Sequence, residues 1–362
     1  MITILLIIPV TNTGGITSWG QKYISTFPDD DFKFHIVAQD PHRPPHCNIW
    51  NRIISGAAAL VRSFRNVRKV LLLHNVDIMH TTTSGSIGGL RDWLLGKYCR
   101  FYGVKTIMHC HYGCIPQVLH TRGIVRWITL KAMSQYDQIW VLDSSSYQAL
   151  RSHKNIHSVI KLTPNNINVS EEIKVVPKTY TNVAFIGNLI PTKGLYELVQ
   201  AVVLANEKIV LHIVGGGAPD VVAHIQNLAD NTWGKRVKYY GRMTNTDAVD
   251  FMQKMDILAL PTYYPPEAFP ISILEAMSLG KLIISTHRAA IPDMLTMLDG
   301  TMCGILVPEK SVDALIDALH WCLNNPLQAD AICLKAYEKV WNTYRSEVIY
   351  NLYIKCYREL LC

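Results

Sequence analysis

The chain has 362 residues, 49% of them hydrophobic and 17% charged, a globular composition long enough for two domains that each bury a core. No apolar run reaches the roughly 18–20 residues that cross a bilayer, and nine cysteines without a Cys-x-x-Cys pair fit a reducing compartment better than a disulfide framework. Residues 1–170 carry 18 Lys and Arg against 8 Asp and Glu, whereas residues 171–362 carry 17 against 20. A basic first half points to an anionic partner (lipid headgroups, a lipid-linked diphosphate or nucleic acid) or to a solvated face that keeps the protein soluble.

The opening run 2–9 is too short to span and lacks the basic start and cleavage region of a signal peptide. It reads as a first buried strand, in a protein expected to stay in the cytoplasm. Asn12-Thr13-Gly14-Gly15-Ile16-Thr17 follows and opens a helix. Its glycines let a phosphate approach the backbone and the helix start favours the charge, although such a turn alone is more often a plain connection. Asp29-Asp30-Asp31 comes after Phe27-Pro28 in a turn and reads as solvated acid, not as a metal pair.

Short apolar runs then alternate with amphipathic segments, the pattern of βα units around parallel sheets. Strands are expected at 2–9, 33–38, 76–81, 104–109, 138–142 and 157–161, with helices at 50–69 and 123–135. On the helix 50–69, Trp50, Ile53, Ile54, Ala57, Leu60, Val61 and Phe64 form one apolar face, and Arg62, Arg65, Arg68 and Lys69 crowd the C-terminal half. It is either an ordinary helix packed on the sheet or an edge helix at an anionic bilayer surface. The charge excess of this half favours the bilayer. His109-Cys110-His111-Tyr112-Gly113 ends another strand, and alternation puts His109 and His111 on one side of its carboxyl end, where α/β folds place their sites. His109 fits a structural or a functional role equally. A zinc set with Cys110 and Cys114 is not expected, because consecutive strand residues point to opposite faces.

Periodicity is lost over 163–180, where Pro164-Asn165-Asn166-Ile167-Asn168 makes a natural boundary. The second half restarts with strands at 183–186, 209–214, 237–240, 257–260 and 282–285. Gly187-Asn188 through Lys193-Gly194 follows the first of these and precedes a helix; a flexible loop with a cation at a helix start makes a diphosphate site. Gly215-Gly216-Gly217 hints at a dinucleotide fingerprint, but Asp220 stands where a third glycine belongs, so a close backbone turn is the milder reading. The run 346–361 is a helical pattern rich in Tyr and Leu.

The most informative stretch is 261–281. Asp256 to Leu260 reads as a buried strand, Pro261 ends it, and Pro265 and Pro266 keep the next residues extended. Ile271, Leu274 and Met277 then recur at helical spacing, and Gly280 closes the helix. Glu267 therefore lies in the loop and Glu275 on the helix, beside backbone N–H groups and a positive helix end. A carboxylate beside an anion site suits a ligand with phosphate and hydroxyls, as in a nucleotide sugar.

This run resembles the Glu-x7-Glu signature of family 4 retaining glycosyltransferases. The resemblance implies an α/β GT-B fold of two Rossmann-like βαβ domains with the donor site in the cleft between them. It divides the chain into an acceptor-side domain 1–165, a donor domain 166–345 and a C-terminal helix 346–362 that crosses back. By position it implies that Glu267 contacts the donor sugar hydroxyls and Glu275 the ribose, with the backbone around Ala268, Phe269 and Pro270 lining the sugar pocket. Gly14 and Gly15 match a Gly-Gly that faces the donor, and His111 a histidine that reaches its sugar. Gly187 and Lys193 match a Gly-Arg-Leu and Lys-Gly pair at the diphosphate; Asn188 replaces the Arg and brings no charge, which leaves Arg242 and the basic N-terminal domain as candidates for a further cation. Asn166 replaces the Gly of a Pro-Asn-Gly-Ile/Val-Asp crossover motif and tolerates a left-handed backbone better than most residues.

The implied activity is transfer of a hexose from a nucleotide diphosphate sugar, with retention, to a glycan or lipid-linked acceptor in bacterial surface-polysaccharide synthesis. No metal and no further cofactor is expected. The expected partners are the nucleotide sugar, the acceptor and an anionic membrane surface on the inner face, with no nucleic acid. A GT-B epimerase and a non-catalytic GT-B scaffold are the alternatives.

Overall fold

The computed structural model describes residues 1–10, 15–39, 49–169 and 179–362, which form two compact units, Met1–Asn165 with Ile349–Cys362, and Asn166–Val348. In the first unit, strands β1 (Ile2–Ile8), β2 (Phe32–Ala38), β3 (Ile78–Thr83), β4 (Lys105–Cys110), β5 (Gln138–Val141) and β6 (Val159–Leu162) make one parallel sheet in the order β2-β1-β3-β4-β5-β6. Its helices are α1 (Gly15–Thr26), α2 (Ile49–Leu73), α3 (Gly89–Phe101), α4 (Ile115–His120), α5 (Ile124–Met133) and α6 (Ser144–Arg151).

The second unit repeats the plan. Strands β7 (Asn182–Ile186), β8 (Val210–Val214), β9 (Val237–Tyr239), β10 (Ile257–Leu260), β11 (Leu282–Thr286) and β12 (Ile305–Val307) pair in the order β12-β11-β10-β7-β8-β9, again all parallel. The helices are α7 (Leu195–Leu204), α8 (Pro219–Ala229), α9 (Asn245–Gln253), α10 (Ile271–Ser278), α11 (Ile291–Leu295), α12 (Val312–Asn324) and α13 (Pro326–Lys339). The last helix, α14 (Ser346–Leu361), belongs to the first unit from Ile349 onward.

Parallel strands covered on both faces read as continuous apolar runs, and β1 shows the consequence. Leu5 and Ile7 join Met79, Leu95, Met108 and Val141 on one face, while Ile4, Leu6 and Ile8 join Trp19, Tyr23 and Trp140 on the other. α14 closes that second face with Tyr350, Tyr353, Tyr357 and Leu360, a stripe at helical spacing. The Tyr357 hydroxyl lies 2.6 Å from that of Tyr23 and 2.5 Å from His80 Nδ1. Arg358 of α14 also pairs with Asp29 at 3.0 Å, so the acidic turn serves packing.

One device recurs at the amino ends of both sheets. An aspartate just before a strand accepts the N–H of the neighbouring strand: Asp77 from Thr3, Asp137 from Thr106, and Asp256 from Thr181 and Asn182. These partly buried amides would otherwise lack a protein partner where the ladder stops. The amino ends are thereby given to stability, and the carboxyl ends are left to the loops.

Two expectations are corrected. The buried stripe of α2 is not the one expected, since Val61 is 58% exposed and Ala57 is exposed, whereas Ser63 and Val67 are buried and Phe64, Val70 and Leu71 pack against the core. The reason is Ser63, whose hydroxyl donates to the Ala59 carbonyl and so can be buried at low cost, shifting the stripe around the helix. The side chains of Trp50, Arg52, Ile53 and Ile54 lie outside the described residues. Asn166 does not take the left-handed conformation; among the described residues the non-glycines with positive φ are Ser86, Tyr180, Asp230, Ala289 and Lys310. Its side-chain oxygen accepts from Ser346 instead. The short strand β12 was not expected: three residues carry no readable period.

Candidate functional site

In an open parallel sheet, ligands sit beyond the carboxyl ends of the strands, where the strand order reverses. In the second unit that point lies between β7 and β10, because β8 continues the sheet on one side of β7 and β10 on the other. The loops leaving these two strands are 187–194 and 261–270. They carry Gly187, Asn188, Lys193, Glu267, Ala268, Phe269 and Pro270, so topology alone gathers these sequence-predicted residues.

The loops are tied to each other by backbone, Tyr263 N–H donating to the Thr192 carbonyl, and Leu189 N–H donates to the Gly216 carbonyl in the turn after β8. At Gly194 a side chain is impossible: φ is +76°, and a Cβ there would meet the Pro261 carbonyl oxygen at 2.1 Å. That contact sets Lys193 beside the 261–270 loop. Its ammonium lies 3.3 Å from Glu267 Oε2, with only 17% of the lysine side chain and 10% of the glutamate side chain exposed. The Thr262 hydroxyl donates to the same oxygen at 3.3 Å. Glu267 N–H in turn donates to the Tyr264 carbonyl, which also accepts from Arg288 Nε.

Glu275 is the fifth residue of α10, in its second turn, and is half-buried. The Ala268 carbonyl accepts from Ala290 N–H, and the Phe269 ring packs 5.4 Å from that of Tyr344, so this part of the loop is held from behind. Asn188 is exposed. Arg242, also exposed, has its guanidinium over Gly216, where a Cβ would come within 2.8 Å of Nε and Nη2. The glycine turn after β8 thus admits an arginine beside the diphosphate-type loop.

Several neighbours carried no sequence signal of their own. Tyr263 donates to Glu197 at 3.1 Å and lies under the Lys310 ammonium, 4.8 Å from the ring centre. Thr262 and Arg288 each follow the carboxyl end of a strand by two residues, and that position was the one signal that could have found them.

In the first unit, Gly14 lies outside the described residues and Gly15 starts α1. His109 and His111 lie on one side of β4's end, their rings 4.2 Å apart, and both meet Trp19. His80 of β3 joins them, 5.4 Å from His109. Burial pushes the pKa values of His80 and His111 down to about 3, with His111 adding to the effect on His80, and that of His109 well below the usual range. All three are neutral imidazoles at pH 7. Among the described residues no three His, Cys, Asp or Glu side chains converge as a metal set.

Residues 166–339 match the family model described as Glycosyl transferases group 1. The second unit is thus similar to group 1 glycosyl transferases over most of its length. D-rhamnosyltransferase WbpZ of Pseudomonas aeruginosa is 29% identical over 146 residues, 40% of this chain and 37% of that protein. The chain shares its fold with sucrose-phosphate synthase of Thermosynechococcus elongatus, at a TM-score of 0.77 and 17% identity over 99% of both chains. It also resembles HepE of Anabaena in complex with UDP and glucose, at a TM-score of 0.73 and 14% identity over 99% of this chain and 100% of that one. The fold is GT-B.

Proposed function

We propose that the protein is a retaining glycosyltransferase that moves a hexose from a nucleotide diphosphate sugar to a glycan or lipid-linked acceptor in polysaccharide synthesis. The observation that carries the reading is the Lys193–Glu267 pair at the β7/β10 reversal, with Glu275 on the helix that follows. Glycosyl transfer develops positive charge on the sugar and negative charge on the leaving diphosphate. Glu267 orients the sugar hydroxyls, Glu275 holds the ribose, and Lys193 takes the leaving charge, the largest electrostatic task in such a site. Asn188 brings no charge, so Arg242 on its glycine seat is assigned as the second cation. The acceptor proton goes to the departing phosphate oxygen on the same face of the sugar, so no side-chain nucleophile is assigned. The charge on the diphosphate is met by these groups and the helix end without a metal.

An anionic membrane surface is the proposed partner of the first unit. Support comes from the outward face of α2, where Arg62, Arg65, Arg68 and Lys69 stand among Val61, Leu72 and Leu73, the last two each 64% exposed. No described helix is long and apolar enough to cross a membrane. Incubation with a panel of nucleotide sugars tests the activity: a transferase releases nucleoside diphosphate in the presence of acceptor, an epimerase alters the sugar, and a scaffold does neither.

A further inference from the structure

We propose that Thr262 is a positioning residue that fixes the plane of the Glu267 carboxylate against the donor; this rests on the role assigned to Glu267 above. Thr262 is fully buried two residues past the end of β10, where an apolar residue would cost less. Its hydroxyl has one proton to give and gives it to Glu267 Oε2. Its lone pair accepts Tyr264 N–H at 3.2 Å. The carbonyl of Thr262 accepts from the Thr286 hydroxyl, and that of Leu260 from Ser285, so β11 side chains hold the backbone where the β10 ladder ends.

Both donors to the carboxylate, Thr262 and Lys193, meet Oε2. Among the described residues none donates to Oε1, which is the oxygen left for a sugar hydroxyl. A carboxylate turns easily about its last torsion, and an ammonium is a point charge that can follow it. The threonine hydroxyl, fixed by its own backbone contacts, is the group that resists this turn. Its loss leaves the nucleotide contacts intact and misaligns the sugar, so kcat falls while donor KM stays.

The test compares Thr262→Val, Thr262→Ser, Thr286→Val and Glu267→Ala in nucleoside diphosphate release from UDP-glucose and GDP-mannose. Thr262→Val should lower kcat about tenfold with donor KM within about twofold, and Thr262→Ser should rescue most of it. Thr286→Val, which frees the Thr262 carbonyl, should show a smaller loss of the same kind and serves if Thr262→Val does not fold. Wild-type kcat in Thr262→Val beside an inactive Glu267→Ala overturns the positioning role and leaves the site standing. A fully active Glu267→Ala instead overturns the site. Crystal structures of wild type and Thr262→Ala give a readout independent of turnover: a carboxylate plane unchanged at Glu267 also overturns the proposal.

Discussion

The Lys193 ammonium and the Glu267 carboxylate, 3.3 Å apart and both largely buried, form an ion pair at the spot where the leaving phosphate and the sugar are assigned. Unlike charges in such a place hold each other ready, but neither can be removed without stranding the other. Glu267→Ala should therefore lower kcat at least 10²-fold, about 2.7 kcal/mol of transition-state stabilisation, with the circular dichroism spectrum unchanged. Lys193→Ala should lose a comparable amount. Because the two act on one transition state, the double variant should be much less impaired than the product of the two. Independent, multiplicative losses would separate Lys193 from the site of Glu267.

The second prediction rests on the two cations assigned to the diphosphate. If Lys193 and Arg242 carry its charge, transfer should continue in excess EDTA. Loss of activity in EDTA, restored by Mn²⁺, would mean that a metal carries the leaving charge and that the cations have another role.

Much of this was legible in the residues. The βα alternation, eleven of the twelve strands among the described residues to within two residues, and the loop between Leu260 and Ile271 follow from apolar runs and prolines, which act locally. What was not legible depends on contacts between distant residues. Ser63 could not be placed in the α2 interface without its bond to Ala59. Nor could Thr262 be joined to Glu267, because that bond needs the turn built by Tyr264, Thr286 and Arg288. The seat of Arg242 on Gly216 likewise arises only when the β8 and β9 loops meet.

Ala289 gives a stability prediction. It has φ +45°, a left-handed conformation that costs a non-glycine roughly 1–2 kcal/mol, and the next residue's N–H supports Ala268 beside Glu267. Ala289→Gly removes that strain but adds freedom to the unfolded chain, so the net gain should be about 0.5–1 kcal/mol. In thermal unfolding the second unit should melt a few degrees higher, with activity kept. A lower melting point would show that the methyl group contributes more than the strain costs.

The buried histidines of the first unit predict acid lability. His80, His109 and His111 are held neutral by burial, and repulsion from neighbouring imidazoles adds to it at His80 and His109. They are closed in by Trp19, Tyr23, Trp140, Tyr353 and Tyr357, none of which offers a negative charge. Folded pKa values near 3 against an ordinary 6.5 mean that the unfolded chain binds protons the folded chain refuses. Their contribution is therefore complete above pH 6.5 and is lost as pH falls from there towards 3. Each histidine removes about 1 kcal/mol per pH unit in that window, against a total of roughly 5–15 kcal/mol for a domain. The melting temperature should fall steeply between pH 6.5 and 5, and less steeply in His109→Gln. A flat profile would mean that the cluster takes up protons without opening.

The last prediction concerns the membrane. α2 has no acidic residue, and Arg62, Arg65, Arg68 and Lys69 are all exposed on its C-terminal half. Helix-end electrostatics alone needs one or two such cations. Val61, Leu72 and Leu73 stand out beside them, so apolar and basic groups share the outward face of this helix. The Phe64 and Tyr98 rings, 5.5 Å apart, join α2 to α3. Each cation near an anionic headgroup contributes about 1 kcal/mol, screened by salt. Sedimentation should show binding to phosphatidylserine-containing vesicles and none to neutral ones. The binding should weaken steeply in high salt, and Arg62/Arg65/Arg68→Ala should abolish it while leaving the melting temperature close to wild type. Binding that survives both high salt and the triple variant would be driven by the apolar residues; none in any condition would leave this face with another anionic partner or with water.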